Sequence, residues 1–266
     1  MQEPASPPED TANRAAPAGS LENWFQSAAG RYVLAWERQC LEATITDLFG
    51  YFALQVGLPG IDLLAASRMP WRFRCGPDGA GQLLAHADEL PIASESVDLV
   101  LLPHLLEESG DPHQTLREAE RVLRPDGVLV VTGFNPLSLW GARRLAGRSE
   151  APPWNAEFVG VLRLKDWLKL LNFEVRGGRY GCYRPPFDSE RWLTRFGFLE
   201  KAGSRWWPVA GAAYVLVARK RVAGMRVITP SRRPVRAPAR LLAPTASQAV
   251  ERCGPPAPRH ALFVDD

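Results

Sequence analysis

The amino-acid sequence predicts an α/β fold built on a doubly wound, mostly parallel sheet with a helical N-terminal extension. The first observation is a pair of almost wholly apolar runs, residues 97–102 and 128–134, typical of strands covered by helices on both faces. The second is a helical segment between them, which Asp111 can cap and in which Pro112 suits the first turn. A turn at residues 124–127 ends that segment. Two parallel strands joined by a helical crossover indicate a sheet that binds ligands beyond the carboxyl ends of its strands.

The rest of the chain supplies further strands and helices in alternation. Strands are predicted upstream at residues 51–58, 71–75 and 82–87, and downstream at 173–183, with a bulge or bend at Gly177-Gly178, and at 212–219. Helices are predicted as a pair within residues 21–49, broken near Gly30, and at residues 61–66, 136–147, 164–171 and 189–201. The order is that of a doubly wound domain.

The chain divides into one predicted domain and two tails. Residues 1–19 hold four prolines and residues 222–266 hold seven, and neither segment has an apolar period, so both are expected to be disordered. Residues 20–221 are long enough for a single α/β domain with a full core.

The net charge of +3 is unevenly distributed. Residues 221–266 contain eight Arg against three acids, a balance of +5, which leaves −2 for residues 1–220. The positive charge therefore lies outside most of the predicted fold, and the sequence predicts no specific nucleic-acid partner.

The four cysteines are far apart, at positions 40, 75, 182 and 253, with no CxxC pair and no histidine at zinc spacing. This pattern favours reduced thiols in a cytoplasmic protein and predicts no structural metal. No apolar run approaches the roughly 18 residues that span a bilayer, so no membrane association is expected. The sequence gives no signal for an oligomeric state.

Three segments together resemble a known family. Leu90-Pro91-Ile92, the stretch SVDLV at residues 96–100 and the stretch EAERVLRPDG at residues 118–127 are similar to the LPF, SFDxV and ExxRVLKPGG signature of class I S-adenosylmethionine-dependent methyltransferases. The closest subgroup is type 11, to which the ubiquinone-biosynthesis C-methyltransferases are related. The motifs cover about residues 51–134, and the element order extends the resemblance to about residue 220.

This resemblance implies a Rossmann-like methyltransferase fold of seven strands, with the last strand antiparallel. It also implies that S-adenosylmethionine lies across the carboxyl ends of the first four strands. The expected function is transfer of a methyl group to a small-molecule acceptor.

The family's cofactor-binding positions carry over to eight residues of this sequence. The resemblance assigns cofactor contacts to Gln55, Gly57, Gly60, Cys75, Gly76, His86, Ala87 and Leu102. Gln55, Cys75 and His86 stand where the family has acids, and Asp78 is the nearest substitute after the second strand. Each replacement of a charge-assisted hydrogen bond by a neutral one costs about 1 kcal/mol or more. A catalytically impaired binding or regulatory protein is therefore the alternative hypothesis. A nicotinamide-dependent oxidoreductase fits the glycine spacing poorly.

His104 is the candidate general base, because it follows the fourth strand at the edge of the expected cleft. The alternative is a histidine that starts a helix or packs in the core. Methyl transfer from a sulfonium needs little besides alignment of the acceptor, and it needs a base only for some acceptors. Four tryptophans are candidates either for the core or for an apolar acceptor pocket: Trp140, Trp154, Trp206 and Trp207.

Overall fold

The computed structural model describes residues 20–147 and 151–221. In these ranges the chain forms one seven-stranded sheet of order β3-β2-β1-β4-β5-β7-β6. The strands are β1 Phe52–Val56, β2 Trp71–Gly76, β3 Leu83–Leu84, β4 Val97–Pro103, β5 Leu123–Phe134, β6 Phe173–Gly181 and β7 Ala213–Lys220. β7 runs antiparallel to both neighbours, whereas β1 to β5 pair in parallel. The predicted fold class is confirmed, and the predicted tails lie outside the described residues.

Helices cover both faces of the sheet. They are α1 Leu21–Trp24, α2 Ala28–Ile45, α3 Leu105–Glu108, α4 Pro112–Val122, α5 Leu139–Ala146, α6 Val161–Leu170, α7 Glu190–Arg195 and α8 Phe198–Trp206, followed by a 3-10 turn at Pro208–Ala210. Asp111 caps α4 by accepting the Gln114 N–H at 3.0 Å, as the sequence predicts. Among the described helices, none is both long and apolar enough to cross a membrane.

The central strands are apolar throughout because each of their faces is covered. Leu99 and Leu101 of β4 point into the core beneath α1 and α2, while Val100 and Leu102 point into the core beneath α4 and α6. All four are at most 1% exposed. Burying each such side chain contributes about 2 kcal/mol, so this strand anchors both layers.

The N-terminal extension folds back on itself between α1 and α2. Ser27 caps α2 by accepting the Gly30 N–H at 3.0 Å. A Cβ atom on Gly30 would lie 2.2 Å from the Trp24 carbonyl oxygen, so the two helices can approach this closely only over a glycine. The expected helix pair is confirmed, and this reversal brings α1 over the carboxyl edge of the sheet.

Three local predictions need correction. Residues 61–66 form turns instead of a helix, because side chains satisfy the backbone there, as when Asp62 accepts the Leu64 N–H at 2.9 Å. Residues 189–201 form two helices, α7 and α8, which meet at Gly197. β5 begins at Leu123, so residues 124–127 lie within the strand, where the pairing register moves from Val97↔Leu123 to Leu99↔Val128.

Candidate active-site cleft

A cleft of about 520 Å³ lies beyond the carboxyl ends of β1 to β4. Its walls come from the chain segments that follow each strand and from the start of the N-terminal extension. The lining residues are Ser20, Leu21, Glu22, Gly57, Leu58, Pro59, Pro77, Asp78, His86, Ala87, Asp88, Leu105, Glu108, Ser109, Gly110 and Asp111. Ligands of doubly wound sheets bind at this edge, so the cleft lies where a cofactor is expected.

Gly57 directly follows β1 and leaves the backbone there without a side chain. Its φ of 94° is in the region that favours glycine, and its N–H donates to the Cys75 carbonyl oxygen at 3.0 Å. A Cβ atom there would lie 3.3 Å from Leu105 Cδ1 and 3.4 Å from the Pro103 carbonyl oxygen. A larger residue would therefore fill the space between β1 and the segment after β4. Gly57 lines the cleft, and its contact with the cofactor stays a prediction.

Gln55 is fully buried, and its amide holds the turns that follow β1. Nε2 donates to the carbonyl oxygens of Leu58 at 2.9 Å and Ile61 at 2.8 Å, with Gly57 O at 3.1 Å. Oε1 accepts the Leu63 N–H at 3.1 Å. A carboxylate could not donate any of the Nε2 bonds. The Gln55 side chain thus extends from β1 into the loop at residues 57–63, and Gln55 is not among the cleft-lining residues.

Glu22 reaches the same turn from the N-terminal extension. Its Oε1 accepts the Gly60 N–H at 2.8 Å, and a Cβ atom on Gly60 would lie 2.8 Å from Glu22 Oε2. Glu22 lines the cleft, whereas Gly60 does not. Motif comparison missed Glu22, because it lies on α1, far ahead of the glycine motif, and is brought to the turn by tertiary packing.

The cleft is strongly acidic. Its lining contains five acids and one histidine, and no Lys or Arg among the described residues: Glu22, Asp78, Asp88, Glu108, Asp111 and His86. Desolvation raises the pKa of Glu108 above its ordinary value, and the nearby Glu22 raises it further, while His104 opposes the change. Glu108 is thus an acid of this wall with a raised pKa, although part of its surface stays exposed, and sequence reasoning missed it.

His104, the predicted base, is 1% exposed and does not line the cleft. Its Nε2 contacts Glu37 Oε1 at 2.7 Å, and its Nδ1 contacts Glu107 Oε2 at 3.0 Å. Burial lowers the pKa of His104, but the two carboxylates outweigh burial and raise it to about 10. A charged imidazolium between two carboxylates donates from both nitrogens and holds no lone pair for an acceptor's proton.

The remaining predicted cofactor residues divide between the cleft and the core. His86 and Ala87 line the cleft. Cys75 and Leu102 are buried, and burial raises the pKa of the Cys75 thiol. Gly76 is required by packing, since a Cβ atom there would lie 2.6 Å from Pro59 Cγ. Of the four tryptophans, Trp140 is buried and donates to the Arg184 carbonyl oxygen, Trp154 is half-buried, and Trp206 and Trp207 are exposed.

Comparison with known proteins places this architecture in a family. The Methyltransferase domain family matches residues 27–131. The chain is 36% identical over 193 residues to the uncharacterized protein YafS of Escherichia coli (strain K12), and the match covers 71% of this chain and 76% of that protein.

Solved structures share the fold at low sequence identity. One is an S-adenosylmethionine-dependent methyltransferase of Thermotoga maritima, a possible histamine N-methyltransferase, with a TM-score of 0.56 at 19% identity over 75% of this chain and 94% of that chain. Another is an S-adenosylmethionine-dependent methyltransferase of Archaeoglobus fulgidus, with a TM-score of 0.52 at 17% identity over 75% of this chain and 97% of that chain.

The fold, the cleft and these relatives define a class of enzyme that binds its cofactor at the carboxyl edge of an α/β sheet. The chain belongs to the class I S-adenosylmethionine-dependent methyltransferases. The cleft fits that cofactor chemically. S-adenosylmethionine carries a sulfonium and an ammonium against one carboxylate, and the cleft offers a glycine cradle and acidic walls.

Proposed function

We propose that the enzyme transfers the methyl group of S-adenosylmethionine to a small-molecule acceptor held beside Glu22 and Glu108. The observation that carries this proposal is the size of the cleft. Residues 20–22 contribute to its lining together with Leu105 and residues 108–111, and its volume is about 520 Å³. Such a volume is typical of small-molecule sites.

The cleft residues take separate roles toward the cofactor. Asp78 follows β2, and its carboxylate suits the ribose hydroxyls. His86, Ala87 and Asp88 follow β3 and suit the adenine. Gly57 lets the methionyl part approach the backbone, and Glu22 offers a carboxylate at the turn where Gln55 offers none. The cofactor supplies an activated methyl group, and the protein aligns the acceptor with it.

Glu108 is proposed as the general base in place of His104. It lies in the cleft wall, whereas both ring nitrogens of His104 face carboxylates in the core. The raised pKa of Glu108 is caused by desolvation and by Glu22. It makes the Glu108 carboxylate a stronger base toward the proton that leaves the acceptor. The base is needed when the acceptor atom carries a proton that must leave.

Isotope transfer tests the acceptor class directly. The full chain is incubated with methyl-labelled S-adenosylmethionine and a bacterial extract separated into small-molecule and macromolecular fractions. We expect label in the small-molecule fraction. Glu108→Gln should lower that rate about tenfold or more and remove its rise with pH, because a neutral amide cannot accept the proton.

Asp166→Asn is the matched control, since Asp166 is exposed on α6, away from the cleft. Label that enters only protein or nucleic acid contradicts the proposed acceptor class. An unchanged pH profile in Glu108→Gln contradicts the assignment of the base.

A further inference from the structure

The segment between β6 and β7 carries a concentration of exposed apolar side chains. We name residues 187–209 the aromatic surface. Its six large exposed side chains range from 39% exposure at Phe187 to 70% at Trp206, and are Phe187, Trp192, Phe198, Trp206, Trp207 and Val209. Ring centroids of Phe187 and Trp192 lie 5.9 Å from each other, and each ring stacks on half-buried Phe196. Exposed apolar patches of this kind mark interaction sites.

Cations are interleaved with these aromatic side chains. Arg191, Arg195, Lys201 and Arg205 are all exposed, and none has an ion-pair partner among the described residues. Two of the three acids in the segment form an ion pair or a hydrogen bond with residues outside it. Glu190 pairs with Arg31 at 2.7 Å, and half-buried Glu200 accepts the Tyr183 N–H at 3.3 Å. Asp188 is the one other acid, so the aromatic surface presents net positive charge.

The aromatic surface lies at the same edge of the sheet as the cleft. The chain leaves β6 at Gly181, which pairs through β7 residue Ala213 with Phe134, the carboxyl end of β5. Asn135 holds the chain where the segment leads into β7, because its Nδ2 donates to the carbonyl oxygens of Val209 at 2.8 Å and Gly211 at 2.9 Å. The end of the segment is therefore held at the edge of the sheet where the cleft opens.

We propose that the aromatic surface docks the enzyme on an anionic lipid membrane. Tryptophan rings favour the headgroup level of a bilayer, and neighbouring Arg and Lys side chains bind anionic headgroups. The chain's own residues 222–266 carry seven Arg against three acids, so they have the same sign of charge and offer this surface no charge complementarity. Docking of this kind requires no membrane-spanning helix.

Co-sedimentation of the full chain with vesicles tests the proposal. Phosphatidylcholine vesicles with and without phosphatidylglycerol are compared at low and high salt. We expect binding to the phosphatidylglycerol vesicles, weakened by salt. Trp206→Ser/Trp207→Ser should lower the partition coefficient about tenfold, and Lys201→Gln/Arg205→Gln should lower it by a similar factor on anionic vesicles alone.

Trp71→Ser is the matched control, because Trp71 is 58% exposed but begins β2 at the opposite edge of the sheet. Its partition coefficient should equal that of the unmodified chain. No binding to anionic vesicles overturns the proposal, and so does equal binding by all variants, which would assign the affinity to residues 222–266. A dimer in solution that Trp206→Ser/Trp207→Ser converts to a monomer also overturns it, since a second copy would then cover the surface.

Discussion

Gln55 illustrates how a single residue can keep a motif's position and change its task. The resemblance expects an acid there for the ammonium of the cofactor, but the amide is fully buried and bonds to the loop at residues 57–63. Glu22 supplies a carboxylate to the same turn through the Gly60 N–H. The neutral amide of Gln55 thus holds the loop after β1, and the Glu22 carboxylate reaches the same turn from α1.

Gln55→Glu tests this division of roles. A carboxylate at this position would face three carbonyl oxygens without a hydrogen to donate, in a site shielded from water. We expect the free energy of unfolding to fall by about 2–4 kcal/mol, measured by urea denaturation at neutral pH. The variant should bind S-adenosylmethionine no more tightly than the unmodified chain.

Gln82→Glu is a fitting control, because Gln82 is exposed and its side-chain oxygen accepts a hydrogen bond from the Arg74 N–H at 2.8 Å. A carboxylate can accept that bond, so stability should be retained. Tighter cofactor binding by Gln55→Glu without loss of stability would show that position 55 faces the cofactor after all.

At the scale of single residues, the sequence predicts only some of the residues that line the cleft. Gly57, His86 and Ala87 follow strands within a recognisable motif order, and the structure places them in the cleft. Glu22 and Glu108 belong to no motif. They enter the cleft because α1 folds back at Gly30 and because α3 follows β4, and neither contact leaves a periodic pattern in the sequence.

At the scale of elements, a buried ion-pair network joins the N-terminal extension to the sheet. His104, at the start of α3, contacts Glu37 on α2 and Glu107 on α3, and Glu107 Oε1 accepts the Phe134 N–H at the end of β5. Removing one member of such a buried group typically costs about 3–5 kcal/mol. The network therefore holds α2, and with it α1 and Glu22, in register with the cleft.

His104→Gln should change how stability depends on pH. The folded-state pKa of His104 is raised to about 10 by Glu37 and Glu107 against the opposing effect of burial. Its stabilisation is complete below the unfolded pKa of about 6.5 and is lost as the pH rises toward 10. Between pH values of about 7 and 9, the free energy of unfolding should fall by up to about 1.4 kcal/mol per pH unit.

His104→Gln should be less stable and should lack this decline, as measured by urea unfolding at several pH values. His113→Gln provides the comparison, since His113 is exposed on α4 and lies outside this network. A wild-type stability that rises over this pH range, or an unaltered slope in His104→Gln, contradicts a protonated His104 at the centre of the network.

The element order was readable from sequence because long apolar runs and capped helices determine it. The strands β1, β2, β4, β5, β6 and β7 fall within or near their predicted ranges. The exceptions have local causes. At residues 61–66 side-chain hydrogen bonds compete with a helix, and near Gly197 the chain turns between α7 and α8.

For the whole molecule, the distribution of charge matches the cofactor. The acids of the cleft contrast with the cations that the aromatic surface presents at the same edge of the sheet. A cationic sulfonium gains from the acidic walls, whereas S-adenosylhomocysteine has lost that charge. We expect this acidic cleft to hold S-adenosylmethionine although three of the family's carboxylate positions are occupied by Gln55, Cys75 and His86.

Calorimetric titration of the full chain with S-adenosylmethionine tests that claim most directly. We expect binding heat with one-to-one stoichiometry. The dissociation constant should be about tenfold higher in Asp78→Asn, because a charge-assisted hydrogen bond to the ribose becomes a neutral one. Asp166→Asn should bind as the unmodified chain does. Absence of heat at saturating cofactor, or equal affinity in Asp78→Asn, would contradict the account of the cleft.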